Sequence, residues 1–323
     1  MARKSWVLRR GAAGIVAAGA AAWMFLHGRC SSPSAPVQVA GTSVSVATPT
    51  SVTLPAELVR ALEQMRRAFP VPSRLDTLQV LWPSAFARAP RRDLGFGIER
   101  RRIVFNAVHG EGWTCAASVV SRNGDIIEVL DKCEWSPDEF RVERSGLEAA
   151  LKPEFEWVMG PFAGEKSQWA RAIALRRVPQ AYDAAIANVA VELGAAGELS
   201  VPDALARSYS VLTSPSYELE LGPMCNFGTK EGYWEMIDLE HSGRIDLLRS
   251  VLRGLNPEGR YFAAFALDQI EGPTGADDST IERLARLPPE TVAVCNGDTF
   301  GVERPGADVR RWLRGLLMPY APE

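Results

Sequence analysis

His109 and Glu111 are the pair of side chains in this sequence whose types and spacing suit proton transfer. They sit in His109-Gly110-Glu111-Gly112-Trp113 between two apolar runs, where an imidazole and a carboxylate can act as a base and an acid on one substrate. A glycine-rich turn carrying exposed polar side chains accounts for the same five residues without chemistry. Only three histidines occur, and neither Cys-x-x-Cys nor His-x-x-x-His spacing is present, so no metal site is expected. Asp238–Asp246 (DLEHSGRID) follows a calcium-binding loop as far as its ninth position. Its twelfth position would be Arg249, where calcium needs a bidentate glutamate, and a helix–turn–helix with His241 at a helix end and Gly243 as the stop explains it better. Gly95-Phe96-Gly97-Ile98-Glu99-Arg100 lacks the third glycine of a dinucleotide loop. Nucleophile elbows and phosphate-binding loops are missing too, and no cofactor is expected. A basic run (Arg88, Arg91, Arg92, Arg100–Arg102) either meets an anionic lipid or polysaccharide or is a solvated approach to a strand.

The elements that must position these residues follow from periodicity. Pro55–Phe69 is expected to be a helix, with Leu58, Leu62, Met65 and Phe69 on one face and Pro70 ending it. A strand-rich stretch follows, beginning with the short apolar run LQVLW (78–82) and continuing through 100–110 and 112–120. Residues 125–133 (DIIEVLDKC) are expected to pair with the strand before them across Asn123-Gly124. Ser136 caps a helix that should run to about Leu151, with Pro137 and Glu139 completing the signal. From Gln168 onward the chain reads as mostly helical, with breaks at Pro179 and at Gly194–Gly197. Tyr261–Leu267 (YFAAFAL) is apolar all round and should lie at the centre of a helical layer.

The five cysteines are Cys30, Cys115, Cys133, Cys225 and Cys295. Cys115 and Cys133 lie on the two arms of the expected hairpin. A two-residue Asn123-Gly124 loop places Cys115 opposite Lys132; one extra residue in a bulge places it opposite Cys133. Cys225 and Cys295 bracket the last helical set and form the second candidate bridge, which leaves Cys30 as the odd thiol.

Location is the best-defined property. Arg3, Lys4, Arg9 and Arg10 precede the uncharged apolar run Gly11–Leu26, the pattern of a targeting segment with its body outside the cytoplasm. Arg9-Arg10 is a twin-arginine pair, but the GAAG that follows is not that signal's usual continuation. Cys30 is a lipidation candidate because an uncharged Ser/Thr/Pro tether starts directly after it. His27 and Arg29 depart from the small residues that a lipoprotein signal places before its cysteine. A retained anchor through Gly11–Leu26 and cleavage after QVA (38–40) stay open. Residues 1–30 hold five basic side chains and no acidic one, so residues 31–323 carry 31 basic against 39 acidic groups. A net acidic body argues against nucleic acid as the natural partner, since phosphate binding needs a basic face.

These readings give four parts: a targeting or anchor segment (1–30), a tether (31–54), a small α+β domain with an antiparallel sheet and flanking helices (55–165), and an all-helical domain (166–323). The segment DLLRSVLRGLNPEGRYFAAFAL, within 231–288, resembles the HEAT-like helical hairpins of uncharacterised exported bacterial proteins. The resemblance implies stacked antiparallel helices and a protein-binding surface. The expected role is that of an exported, membrane-tethered envelope protein at the periplasmic or cell-surface side. It would act as a non-catalytic interaction or scaffold module with a protein partner. The alternative is an extracytoplasmic enzyme built on His109 and Glu111.

Overall fold

The computed structural model describes residues 60–61, 63–65, 71–105, 113–135, 156–161, 168–197, 199–222, 232–272, 275–289, 291–296 and 299–317. All of them belong to one compact unit spanning Ser51–Glu323. Its centre is a six-stranded antiparallel sheet made by β1 (Arg91–Gly95), β2 (Ile98–Val104), β3 (Trp113–Arg122), β4 (Asp125–Trp135), β5 (Glu156–Pro161) and β6 (Gln168–Arg177), in the order β1-β2-β3-β4-β6-β5. The fold is therefore mixed α+β, as the sequence implies.

The β3–β4 hairpin turns at Asn123 and Gly124, whose φ angles of 54° and 84° are the two positive values that a type I′ turn requires. The ladder shifts between Val120 and Ser121: Ser121 faces Ile126, but Val120 faces Glu128, so Ile127 is a bulge residue. Beyond the bulge Cys115 faces Cys133 directly.

Both faces of the sheet are covered. On one, Leu78, Trp82 and Phe86 pack on Ile103, Ala117, Val119, Ile126 and Val129. These three come from α1 (Leu75–Leu81), its cap and α2 (Pro83–Ala87). Arg60, Ala61 and Glu63–Met65 are helical, as expected for that stretch, and Met65 is buried near Cys133. LQVLW is thus helical up to Leu81 and not part of a strand. A run of five residues, four of them apolar, does not distinguish a strand from a buried helix, and here Leu75, Leu78 and Trp82 recur at helical spacing. Gln168–Arg177 corrects the reading in the other direction. It is not a helix but strand β6, paired with β4 on one side and β5 on the other. Its alanines suit a helix, yet Ile173 and Ala174 are buried in the sheet, and tertiary pairing overrides local preference. The division expected at 165/166 falls between β5 and β6, two paired strands.

The other face of the sheet meets α3 (Pro179–Leu193), α4 (Asp203–Thr213), α5 (Tyr233–His241), α6 (Ile245–Leu252), α7 (Pro257–Glu271), α8 (Asp278–Arg283) with the short 3-10 turn Leu284–Arg286, and α9 (Val309–Leu317). Leu94, Ile98, Val120, Ile127, Leu130 and Ile173 from the sheet share one core with these helices. As its composition predicts, α7 lies at the centre: every residue from Pro257 to Asp268 is buried, against α4, α5, α6, α9 and strand β7 (Val292–Asn296). Asn256 caps α7 by accepting from the Gly259 N–H at 3.1 Å, and Pro257 occupies its first turn. The C-terminal part is not all-helical. Besides β6 it holds the antiparallel pair β7 and β8 (Thr299–Glu303), two runs too short to stand out from the surrounding helical pattern.

Candidate functional site

Several residues singled out above fall at His109, Glu111, Cys30 and Cys225, which lie outside the described residues. Cys115 and Cys133 form a disulfide between β3 and β4, with Cα atoms 4.1 Å apart and both side chains buried. Cys295, buried on β7, is also disulfide-bonded. The Asp238–Asp246 segment is the end of α5, a turn and the start of α6. Gly243 has φ 69° after the helix end, His241 is in the last turn, and the Asp238 carboxylate accepts from the Ser208 hydroxyl at 2.8 Å. Gly95-Phe96-Gly97 is a tight connection between β1 and β2 with all three φ positive. A side chain at Gly95 would place its Cβ 2.4 Å from the Pro288 carbonyl carbon, so this glycine serves a close backbone approach.

The basic run is mixed: Arg88, Arg91 and Arg102 are exposed, Arg92 and Arg101 are half-buried, and Arg100 is buried. Arg92 pairs with buried Glu258, Arg91 and Arg101 with Glu99, and Arg102 with Glu218. Arg100 is buried and donates to the Pro215 and Tyr217 carbonyls at 3.3 and 2.8 Å. Burial pulls its pKa below the usual value, against the opposing field of Glu218. A second buried arginine, Arg260, is fully enclosed over the Phe96 ring and donates to the Gly254, Leu255 and Pro288 carbonyls. Burial lowers its pKa to about 10.

The arrangement that sequence reasoning missed is a buried polar junction between the sheet and the helical layer. The bulge at Ile127 turns Glu128 onto the helical face, where its carboxylate is fully buried. One of its oxygens accepts from the Ser214 hydroxyl, from the Ser216 hydroxyl at 2.5 Å and from the Ser216 N–H at 3.3 Å. The other accepts from Arg177 Nε at 2.7 Å. Arg177 stands opposite Glu128 on β6 and lies over the Tyr182 ring at 4.5 Å. Burial pushes the Tyr182 phenol up to about 12 despite that guanidinium. Asn256 holds the same segment from above, donating to the Ser214 and Tyr217 carbonyls at 2.8 and 3.2 Å. A serine hydroxyl beside a carboxylate is the geometry of an activated nucleophile. Here the carboxylate is enclosed and saturated with donors, which suits anchoring the segment after α4 more than proton transfer. The signal for this junction is thin: one Glu inside an apolar strand, and Ser-Pro-Ser after a helix.

Next to it, Glu258 accepts from the Ala293 N–H at 3.0 Å as well as from Arg92. Half-buried Glu220 has its pKa raised, first by burial and then by Glu218 and Glu258. No group of three or more His, Cys, Asp or Glu side chains is placed to hold a metal ion among the described residues. Nor is any described helix long and apolar enough to cross a membrane. The run Gly11–Leu26 lies outside those residues.

No family model matches the chain, and neither a curated protein nor a solved structure matches it.

Proposed function

We propose that this chain is an exported, membrane-tethered bacterial envelope protein whose body is a non-catalytic module for binding another protein. The observation that carries the reading is the fate of the buried charges. Glu128, Glu258 and Asp277 each accept from arginines or backbone and hydroxyl donors of the chain itself, as groups that fix a shape do. The Cys115–Cys133 bridge supports an oxidising compartment outside the cytoplasm. Basic residues before Gly11–Leu26 support the same orientation, and Cys30 with the uncharged tether supports anchoring by a lipid or by a retained span.

The exposed sides of α5, α6 and α8, with the C-terminal end of α7, are the proposed partner surface, in the manner of HEAT-like hairpins. On α5, Trp234 is 47% exposed beside Tyr233, and exposed aromatic side chains are favoured anchors at protein interfaces. Crosslinking in intact envelopes, with and without Trp234→Ala, tests this: loss of one discrete crosslinked partner is expected. Alanine at all exposed positions of 231–288 with every crosslink retained would refute it. His109→Ala and Glu111→Ala should complement a deletion strain fully; failure of either favours the enzymatic reading. Mass measurement of the mature N-terminus from the membrane fraction should find either lipid-modified Cys30 or an intact anchor segment. An unmodified start after Ala40 excludes both anchors.

A further inference from the structure

The turn and the disulfide of the β3–β4 hairpin require different strand registers. Arg122 faces Asp125 across the two-residue turn, a register that would carry Cys115 to Lys132 if continued along the strands. The bridge instead joins Cys115 to Cys133, and one additional residue in β4, Ile127, reconciles the two. Side chains alternate along a strand, so that residue decides the face taken by everything after it. With the bulge, Val129 joins Trp82 and Phe86, Leu130 joins the helical core, and Glu128 reaches Ser214 and Ser216. Without it, Glu128 would face Val119 and turn away from both serines, while Asp131 would turn toward the helices. The apolar pattern does not decide between these registers. Ile126, Ile127, Val129 and Leu130 give two apolar side chains to each face in either one.

We propose that oxidation of Cys115 and Cys133 selects the bulged register and thereby commits Glu128 to the face on which the helical layer docks. The step is an exchange with an external disulfide. Two thiols lose two protons and two electrons, one S–S bond forms, and the oxidant's S–S bond is reduced to two thiols. Both sulfurs are buried in the finished fold, so the exchange precedes complete docking. The sheet then receives its helices in one register only, whatever partner the mature protein binds.

Two N–H groups report the register. Val178 donates to the Ile127 carbonyl at 2.9 Å, and Ser216 donates to Glu128. Amide hydrogen exchange of the full chain is compared between the oxidised protein and Cys115→Ala/Cys133→Ala, with α7 amides as the reference for the intact core. Val178 and Ser216 should exchange at least about tenfold faster in the variant relative to α7. Unchanged relative protection would mean that packing alone sets the register, and would overturn the proposal. Should the double variant not fold, Lys132→Cys/Cys133→Ala decides. The reduced chain is refolded with glutathione disulfide and its bridges are mapped by peptide mass. A bridge from Cys115 to the thiol introduced at position 132, in higher yield than in denaturant, is expected; no excess over denaturant overturns the proposal.

Discussion

Glu128 is the residue on which the junction depends, because a fully buried carboxylate must be matched by donors or it opposes folding. Glu128→Gln keeps the shape but weakens the charge-assisted bonds from Arg177 and both serines. Arg177 is partly exposed and its pairing is screened, so the expected loss is about 2 kcal/mol, read from the denaturant midpoint. Ser216→Ala should cost about 1 kcal/mol by the same measurement. Glu220 behaves oppositely. Its folded-state pKa is raised, so the fold prefers the protonated form. Its ionisation therefore opposes folding at neutral pH, and that opposition fades as pH falls through the folded-state value toward 4.5. Glu220→Gln should raise Tm at pH 8 and give little change at pH 4; an equal shift at both would count against this assignment. Neither role was legible in the sequence. DIIEVL reads as a strand, and its pattern does not say which covered face Glu128 takes; the bulge at Ile127 turns that side chain toward the helical layer.

Elements were legible where local signals agreed with the tertiary outcome. The Asn123-Gly124 hairpin carries both positive-φ residues that its turn demands. Helix α7 has an N-cap, a first-turn proline and apolar residues on every side, and it is buried accordingly. Strand β6 was not legible, since Ala170, Ala172 and Ala174 favour a helix and only pairing between β4 and β5 decides otherwise. The central position of α7 makes its own prediction. A Cβ at Gly259 would lie 1.9 Å from the Leu212 carbonyl oxygen, which is backbone and cannot rotate away. Gly259→Ala, although favourable for an isolated helix, should destabilise by about 2 kcal/mol because α4 and α7 must separate. Chemical denaturation of the variant checks both sign and size.

At the scale of the whole molecule, the helical layer and the sheet share a single core. Leu94, Ile98, Val120, Ile127, Leu130 and Ile173 pack with α3 to α9, and the Glu128 junction and the Arg92–Glu258 pair cross between them. Cutting the chain at 165/166 would remove β1 to β5 from beneath the helices, leave β6 without its partners, and strip Arg177 and Ser216 of their carboxylate. The fragment 166–323 should therefore show helical far-ultraviolet dichroism without the near-ultraviolet signal of fixed aromatic packing. For the whole chain the same coupling predicts one cooperative transition. Trp82 reports the face covered by α1 and α2, and Trp312, whose ring meets Tyr261 at 5.5 Å, reports the helical layer. In each single-tryptophan variant that keeps one of these two, the fluorescence midpoint should coincide with that of far-ultraviolet dichroism in the same variant, because neither layer retains a closed core when the other opens. Midpoints separated by several degrees would mean that sheet and helices fold as independent units, and the shared core would then contribute little to stability.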